Sequence, residues 1–173
     1  KVLRFDESFS VEHMSDCILK MIRANEVREN IHIRIIAYID SDDELTGCGP
    51  IGLVCGAVPR KPSRFVDDGM SIVVSSYTRI TDNALPPRVK ATANYINNRA
   101  AELEAKRHGY DGVLIMNPDG RVSEGSGACF FLVRNGQLIT PDVTSGILES
   151  ITRDTVIEIA RRDLGLTVVE RAL

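Results

Sequence analysis

Three separated features carry residue types that can do chemistry together: Lys90 at the end of ITDNALPPRVK, Glu124 in RVSEGSGACFFL, and the stretch TSGILESITRD at 144–154. A lysine amine forms an imine with an aldehyde, and burial lowers its proton affinity so that it also moves protons. A carboxylate beside a ring nitrogen holds that nitrogen protonated and so strengthens an electron sink. A helix N-terminus offers free backbone N–H groups and the positive end of a dipole, which suits Ser150, Ile151 and Thr152 to a phosphate. Singly, each feature has a plainer reading as a solvated lysine, a loop acid beside glycines, or an N-cap. Their combination points to attachment, electron withdrawal and anchoring of one phosphorylated, aldehyde-bearing ring.

Other chemistries find little support. The chain has no GxxxxGK[ST] phosphate loop and no HExxH, and the serine of GSG at Ser126 is flanked by Glu124 and Ala128 where a nucleophile elbow has glycines. Four cysteines (17, 48, 55 and 129) form no CxxC pair and the three histidines are scattered, so no disulfide framework or metal site is expected. Twenty-one Lys and Arg balance 24 Asp and Glu to a net charge of −3, with the signs interspersed, which argues against a nucleic-acid surface. No apolar run reaches the roughly 18 residues of a membrane span, and KVLRFDES lacks a signal-peptide core. A cytoplasmic protein is expected. The chain opens on Lys1 and stops just after a strand-like run, which reads as a fragment.

The elements that must position these residues follow from periodicity. Met14, Cys17, Ile18, Met21 and Ile22 recur at helical spacing after Ser10, an N-cap, with Glu12 in the first turn, which predicts a helix from Ser10 to Asn25. IHIRIIAYI (31–39) and IGLVCGAV (51–58) read as strands, with Arg34 facing away from the Ile31, Ile33 and Ile35 row. PRKPSRF is the nearest thing to a linker and divides a small α+β portion, residues 1–60, from a larger one, residues 61–173. In the larger portion MSIVVSS (70–76) is a strand, 91–108 a helix closed by Gly109, and GVLIM, RVSE, ACFFLV and QLIT consecutive antiparallel strands. A last helix, about 152–164, is expected to bury Val156, Ile159, Ala160 and Leu164 before the strand LTVVE.

In order and spacing, KATANY (90–95), RVSEGSGACFFLV (121–133) and TPDVTSGILESITRD (140–154) resemble the fold-type IV pyridoxal-phosphate enzymes, the class IV aminotransferases, and among them branched-chain aminotransferases. The likeness is continuous over most of residues 70–170 and looser over 1–60. It implies a two-domain mixed α/β fold, incomplete in this chain, with pyridoxal 5'-phosphate as cofactor. It implies Lys90 as the Schiff-base lysine, Tyr95 on the cofactor's phenolic oxygen and Glu124 on the pyridine nitrogen. Leu148 then packs on the ring, Ile151 and Thr152 bind the phosphate, and Arg34 meets the substrate carboxylate. The implied reaction moves an amino group between an amino acid, branched-chain by resemblance, and a 2-oxo acid such as 2-oxoglutarate, in a homodimer.

The chain departs from the family pattern in places. The family's E-H-x-x-R-L supplies a phosphate-binding arginine, but Glu7 is followed by Ser8, Phe9, Ser10 and Val11, as though a stretch were missing between Phe9 and Ser10. Glu149-Ser150 stands where Pro-Gly is common, and Cys129 where Asn is common. D-amino-acid or amine transaminases and aminodeoxychorismate lyases share Lys90 and Glu124 and differ in the substrate pocket. A catalytically silent binding protein of the same fold is the alternative from another class.

Overall fold

The computed structural model describes residues 2–5, 9–42 and 45–173, so Glu7 and Ser8 of the altered motif lie outside the described residues. The chain forms two compact units, 1–64 and 65–173. In the first, α1 (Val11–Ala24) begins at Ser10, whose side chain accepts from the His13 N–H at 3.1 Å, and carries Glu12 in its first turn. It lies against β2 (Ile51–Pro59), which pairs antiparallel with β1 (Ile31–Ile39). Alternation along β1 sets Arg34 opposite Gly56, in the row opposite to Ile31, Ile33 and Ile35, and leaves it exposed.

The second unit opens with a single helical turn, α2 (Phe65–Asp68), and then builds two three-stranded sheets. The first sheet has β3 (Ile72–Thr78), β4 (Gly112–Met116) and β5 (Val122–Gly125) in that order. The second has β6 (Leu132–Arg134), β7 (Gln137–Thr140) and β8 (Thr167–Glu170). β3 runs parallel to β4 and β7 parallel to β8. A parallel pair needs a long crossover, here supplied by α3 (Asn94–Arg107) and α4 (Ile151–Arg162). Each sheet is completed by an antiparallel hairpin; the one between β6 and β7 turns at Asn135 and Gly136, both at positive φ (52° and 74°), as a two-residue primed turn requires.

Two expectations are corrected. The four runs from GVLIM to QLIT are not consecutive antiparallel neighbours, because β5 and β6 lie in different sheets. Within ACFFLV only the end joins a strand: the Gly125 N–H donates to the Ala128 carbonyl at 2.8 Å, closing a bend, and the Phe130 carbonyl accepts from the Thr140 hydroxyl at 2.7 Å. Helix α4 buries Arg153, Ile157 and Ala160, while Ile159 (41%) and Leu164 (64%) stay exposed. The reason is electrostatic: Arg153 lies in the buried stripe because Glu170 of β8 neutralises it at 2.8 Å and the Pro141 carbonyl accepts a further N–H at 3.0 Å. A count of apolar positions does not register such a paired arginine.

The core of the first sheet is Ala101 and Ala105 of α3 against Val113 and Ile115 of β4. Small helix residues let α3 approach the strands closely, and Ile115 is fully buried. Ile115→Ala should therefore cost about 2–5 kcal/mol of stability in urea unfolding. A loss below about 1 kcal/mol would show that this layer does not hold the unit together.

Candidate active site

Helix α3 uses one stripe for two purposes. Its buried residues Asn94, Asn98, Ala101 and Ala105 recur at helical spacing, with alanines over the sheet and asparagines at the N-terminal end. The Asn94 amide donates to the carbonyls of Pro86 and Val89, each at 2.9 Å, and so pins the loop that delivers Lys90. One residue on, Tyr95 presents its hydroxyl, which accepts from Lys90 Nζ at 2.9 Å.

Glu124 lies opposite Ile115 in the β4–β5 pairing, so its side chain points to the same face, the one covered by α3. It is 6% exposed. Its Oε1 meets Arg79 Nη2 at 2.8 Å, and its Oε2 accepts from the Leu148 N–H at 3.0 Å. Burial pushes the carboxyl above its ordinary range, and the Arg79 guanidinium, the Leu148 N–H and the Lys90 amine act against that rise. Downstream, Ser150 caps α4 by accepting from the Arg153 N–H at 3.1 Å. Helix geometry leaves the N–H groups of Ile151 and Thr152 without intrahelical acceptors.

These parts converge. Lys90, Tyr95, Glu124, Leu148 and Thr152 line one cavity of about 220 Å³, together with Asn98, Cys129 and Ser150. Ile151 contributes the first residue of α4 and turns its side chain to solvent, 87% exposed. Arg34 belongs to the N-terminal unit.

The chain as a whole has known relatives. A family model described as amino-transferase class IV matches residues 1–173, the whole chain. This chain belongs to the class IV aminotransferases. Among class IV relatives, the probable branched-chain-amino-acid aminotransferase of Aquifex aeolicus is 34% identical over 181 residues, covering 100% of this chain and 56% of its own length. The crystal structure of the branched-chain amino acid aminotransferase of Thermobaculum terrenum in its PLP form is similar at 43% identity and a TM-score of 0.86, covering 99% of this chain and 57% of that one. The corresponding enzyme of Thermoproteus uzoniensis, solved with norvaline, gives a TM-score of 0.92 at 36% identity, covering 99% and 58%. The chain spans little more than half the length of the relatives it matches.

For a class IV aminotransferase chain, the motif residues were visible in the sequence, but two others in the network were missed. Arg79 (4% exposed) pairs with Glu124, and Asn98 (4% exposed), which also lines the cavity, accepts from Arg79. Arg79 follows a strand and reads as a solvated strand end, and Asn98 is one of three asparagines in a polar helix start. Only the helical spacing of Asn94 and Asn98 with Ala101 and Ala105 marks a shared face.

The raised carboxyl has a sign that can be tested. Below its ordinary value of 4.5, Glu124 is protonated in the folded and the unfolded chain alike. As pH rises through the higher folded value the folded chain resists ionisation, so stability contributed at acid pH is lost. Wild-type stability should therefore fall relative to Glu124→Gln across that window in urea unfolding at stepped pH. Parallel curves for the two proteins would show that Glu124 ionises as freely in the folded chain as in the unfolded one.

Proposed function

We propose that this chain carries the pyridoxal-phosphate site of an aminotransferase that moves an amino group from an amino acid, branched-chain by analogy with its relatives, to a 2-oxo acid such as 2-oxoglutarate. The observation that carries this reading is the convergence of the Lys90 amine, the Tyr95 hydroxyl and the buried Glu124 carboxylate on one cavity at the N-terminus of α4. The donor set fits the cofactor: an amine for its aldehyde, a phenol for its phenolic oxygen, a carboxylate for its ring nitrogen, and free N–H groups for its phosphate. When bound, pyridoxal phosphate supplies the aldehyde that links to Lys90 and the electron-withdrawing ring.

The chain's own residues do the rest. Lys90 Nζ would hold the cofactor's aldehyde and, when free, would be the base for the proton on the substrate's α-carbon. The Tyr95 hydroxyl orients that amine. Glu124 would hold the proton on the ring nitrogen and Leu148 would pack on the ring, while the Leu148 N–H steadies Glu124. Ile151 and Thr152 bind the phosphate through N–H and hydroxyl donors, with Lys90 the only cationic side chain lining the cavity among the described residues. Arg34 is assigned to the substrate carboxylate. A homodimer of two-domain chains, with domains at 1–60 and 61–173, working in the cytoplasm completes the reading; no described helix is long and apolar enough to cross a membrane.

The half-reaction tests it. Cofactor-loaded protein mixed with L-leucine, without an amino acceptor, should release one equivalent of 2-oxo acid per chain, and Lys90→Ala should release none. Release by Lys90→Ala at the wild-type rate would remove Lys90 from the chemistry. Thr152→Ala should weaken cofactor affinity about 10-fold, the loss of one charge-assisted hydrogen bond. Unchanged affinity by equilibrium dialysis would take Thr152 out of the phosphate site.

A further inference from the structure

Glu124 is not the end of the charge network. Arg79, buried to 4% exposure, makes three directed contacts: Nη2 to Glu124 Oε1 at 2.8 Å, Nε to the Gly146 carbonyl at 3.1 Å, and Nη1 to Asn98 Oδ1. Asn98 is itself oriented, because its amide donates to the Ser126 carbonyl at 2.7 Å. The guanidinium is therefore fixed against the carboxylate, and Arg79 is not among the side chains that line the cavity with Glu124, Lys90 and Tyr95. Arginine stays protonated at any working pH, so it is a permanent positive charge at this point.

We propose that Arg79 is a positioning residue that keeps the proton shared by Glu124 and the cofactor's ring nitrogen on the nitrogen. The inference rests on the pyridoxal-phosphate reading given above. The sign follows from Coulomb's law in a buried setting. When the proton moves from the Glu124 carboxyl to the ring nitrogen, the carboxyl O–H bond breaks, a nitrogen–hydrogen bond forms, and positive charge moves away from Arg79. A negative carboxylate is left beside the guanidinium. Both changes are favoured by Arg79, and a neutral side chain there favours neither. Without it, burial acts on Glu124 with its largest opponent removed, and the pair relaxes to a neutral acid beside a neutral ring. The other charged or titratable groups at the cavity are Lys90, Tyr95 and Cys129, and Arg79 is the one in ion-pair contact with the acid.

The test is the ¹⁵N NMR shift of the ring nitrogen in protein loaded with pyridoxal phosphate labelled at that atom. Wild type and Arg79→Lys should show the pyridinium position, and Arg79→Gln should move most of the way to neutral pyridine. A pyridinium shift in Arg79→Gln would overturn the proposal. Should Arg79→Gln fail to fold, Arg79→His decides instead, because an imidazole loses its positive charge as pH rises through about 6–8 and the resonance should then move toward neutral pyridine while wild type holds. An unchanged resonance there would overturn the proposal equally. Failure of wild type to retain the labelled cofactor would overturn the cofactor reading and this inference together, whereas retention with unshifted variants sinks the inference alone.

Discussion

Arg79 and Glu124 meet as a buried ion pair at 2.8 Å, and four segments of the C-terminal unit are held by what these two side chains bind. Arg79 follows β3, Asn98 belongs to α3, Glu124 sits on β5, and the Gly146 carbonyl and Leu148 N–H lie in the segment entering α4. Two charges withdrawn from water are tolerated only when each is paired and its remaining donors or acceptors are used, and removing one partner typically costs about 3–5 kcal/mol. The same pair thus ties the strands to both crossover helices and aims a carboxylate into the cavity.

The crossover helices deliver the other groups. α3 spans the parallel pair β3 and β4, and its N-terminal asparagines fix the loop of Lys90, while its alanines form the core beneath. α4 spans β7 and β8, and its N-terminus brings Thr152 to the cavity that Lys90 also lines. Arg153, one residue along, turns inward to Glu170 and locks that helix to its strand. Packing and chemistry therefore share the same helical faces, which explains why polar side chains occur on stripes that otherwise bury alanine and isoleucine.

Much of this was legible from residue order. Ser10 announced α1 because a hydroxyl before an apolar-periodic run satisfies a helix's free N–H groups, and Lys90, Glu124 and Thr152 stood out because three motifs lay in family order. Strand direction was not legible: GVLIM and QLIT alternate the same way whether a neighbour is parallel or antiparallel, and the crossover decides. The burial of Arg79 and Arg153 was hidden for a related reason. A charged residue reads as solvated until its partner, 45 or 17 positions away, is brought against it by the fold. The glycines after Glu124 divide in the same way, since Gly125 is drawn to the Ala128 carbonyl while Gly127 opens onto the cavity.

The central claim is that one lysine is the attachment point for an aldehyde cofactor in this cavity. Borohydride reduction of the cofactor-loaded protein, followed by protease digestion and mass mapping, reads that attachment directly. The account predicts a single pyridoxyl label on the peptide containing Lys90. A label at Lys20, Lys61 or Lys106 in its place, or no label at all, would contradict it.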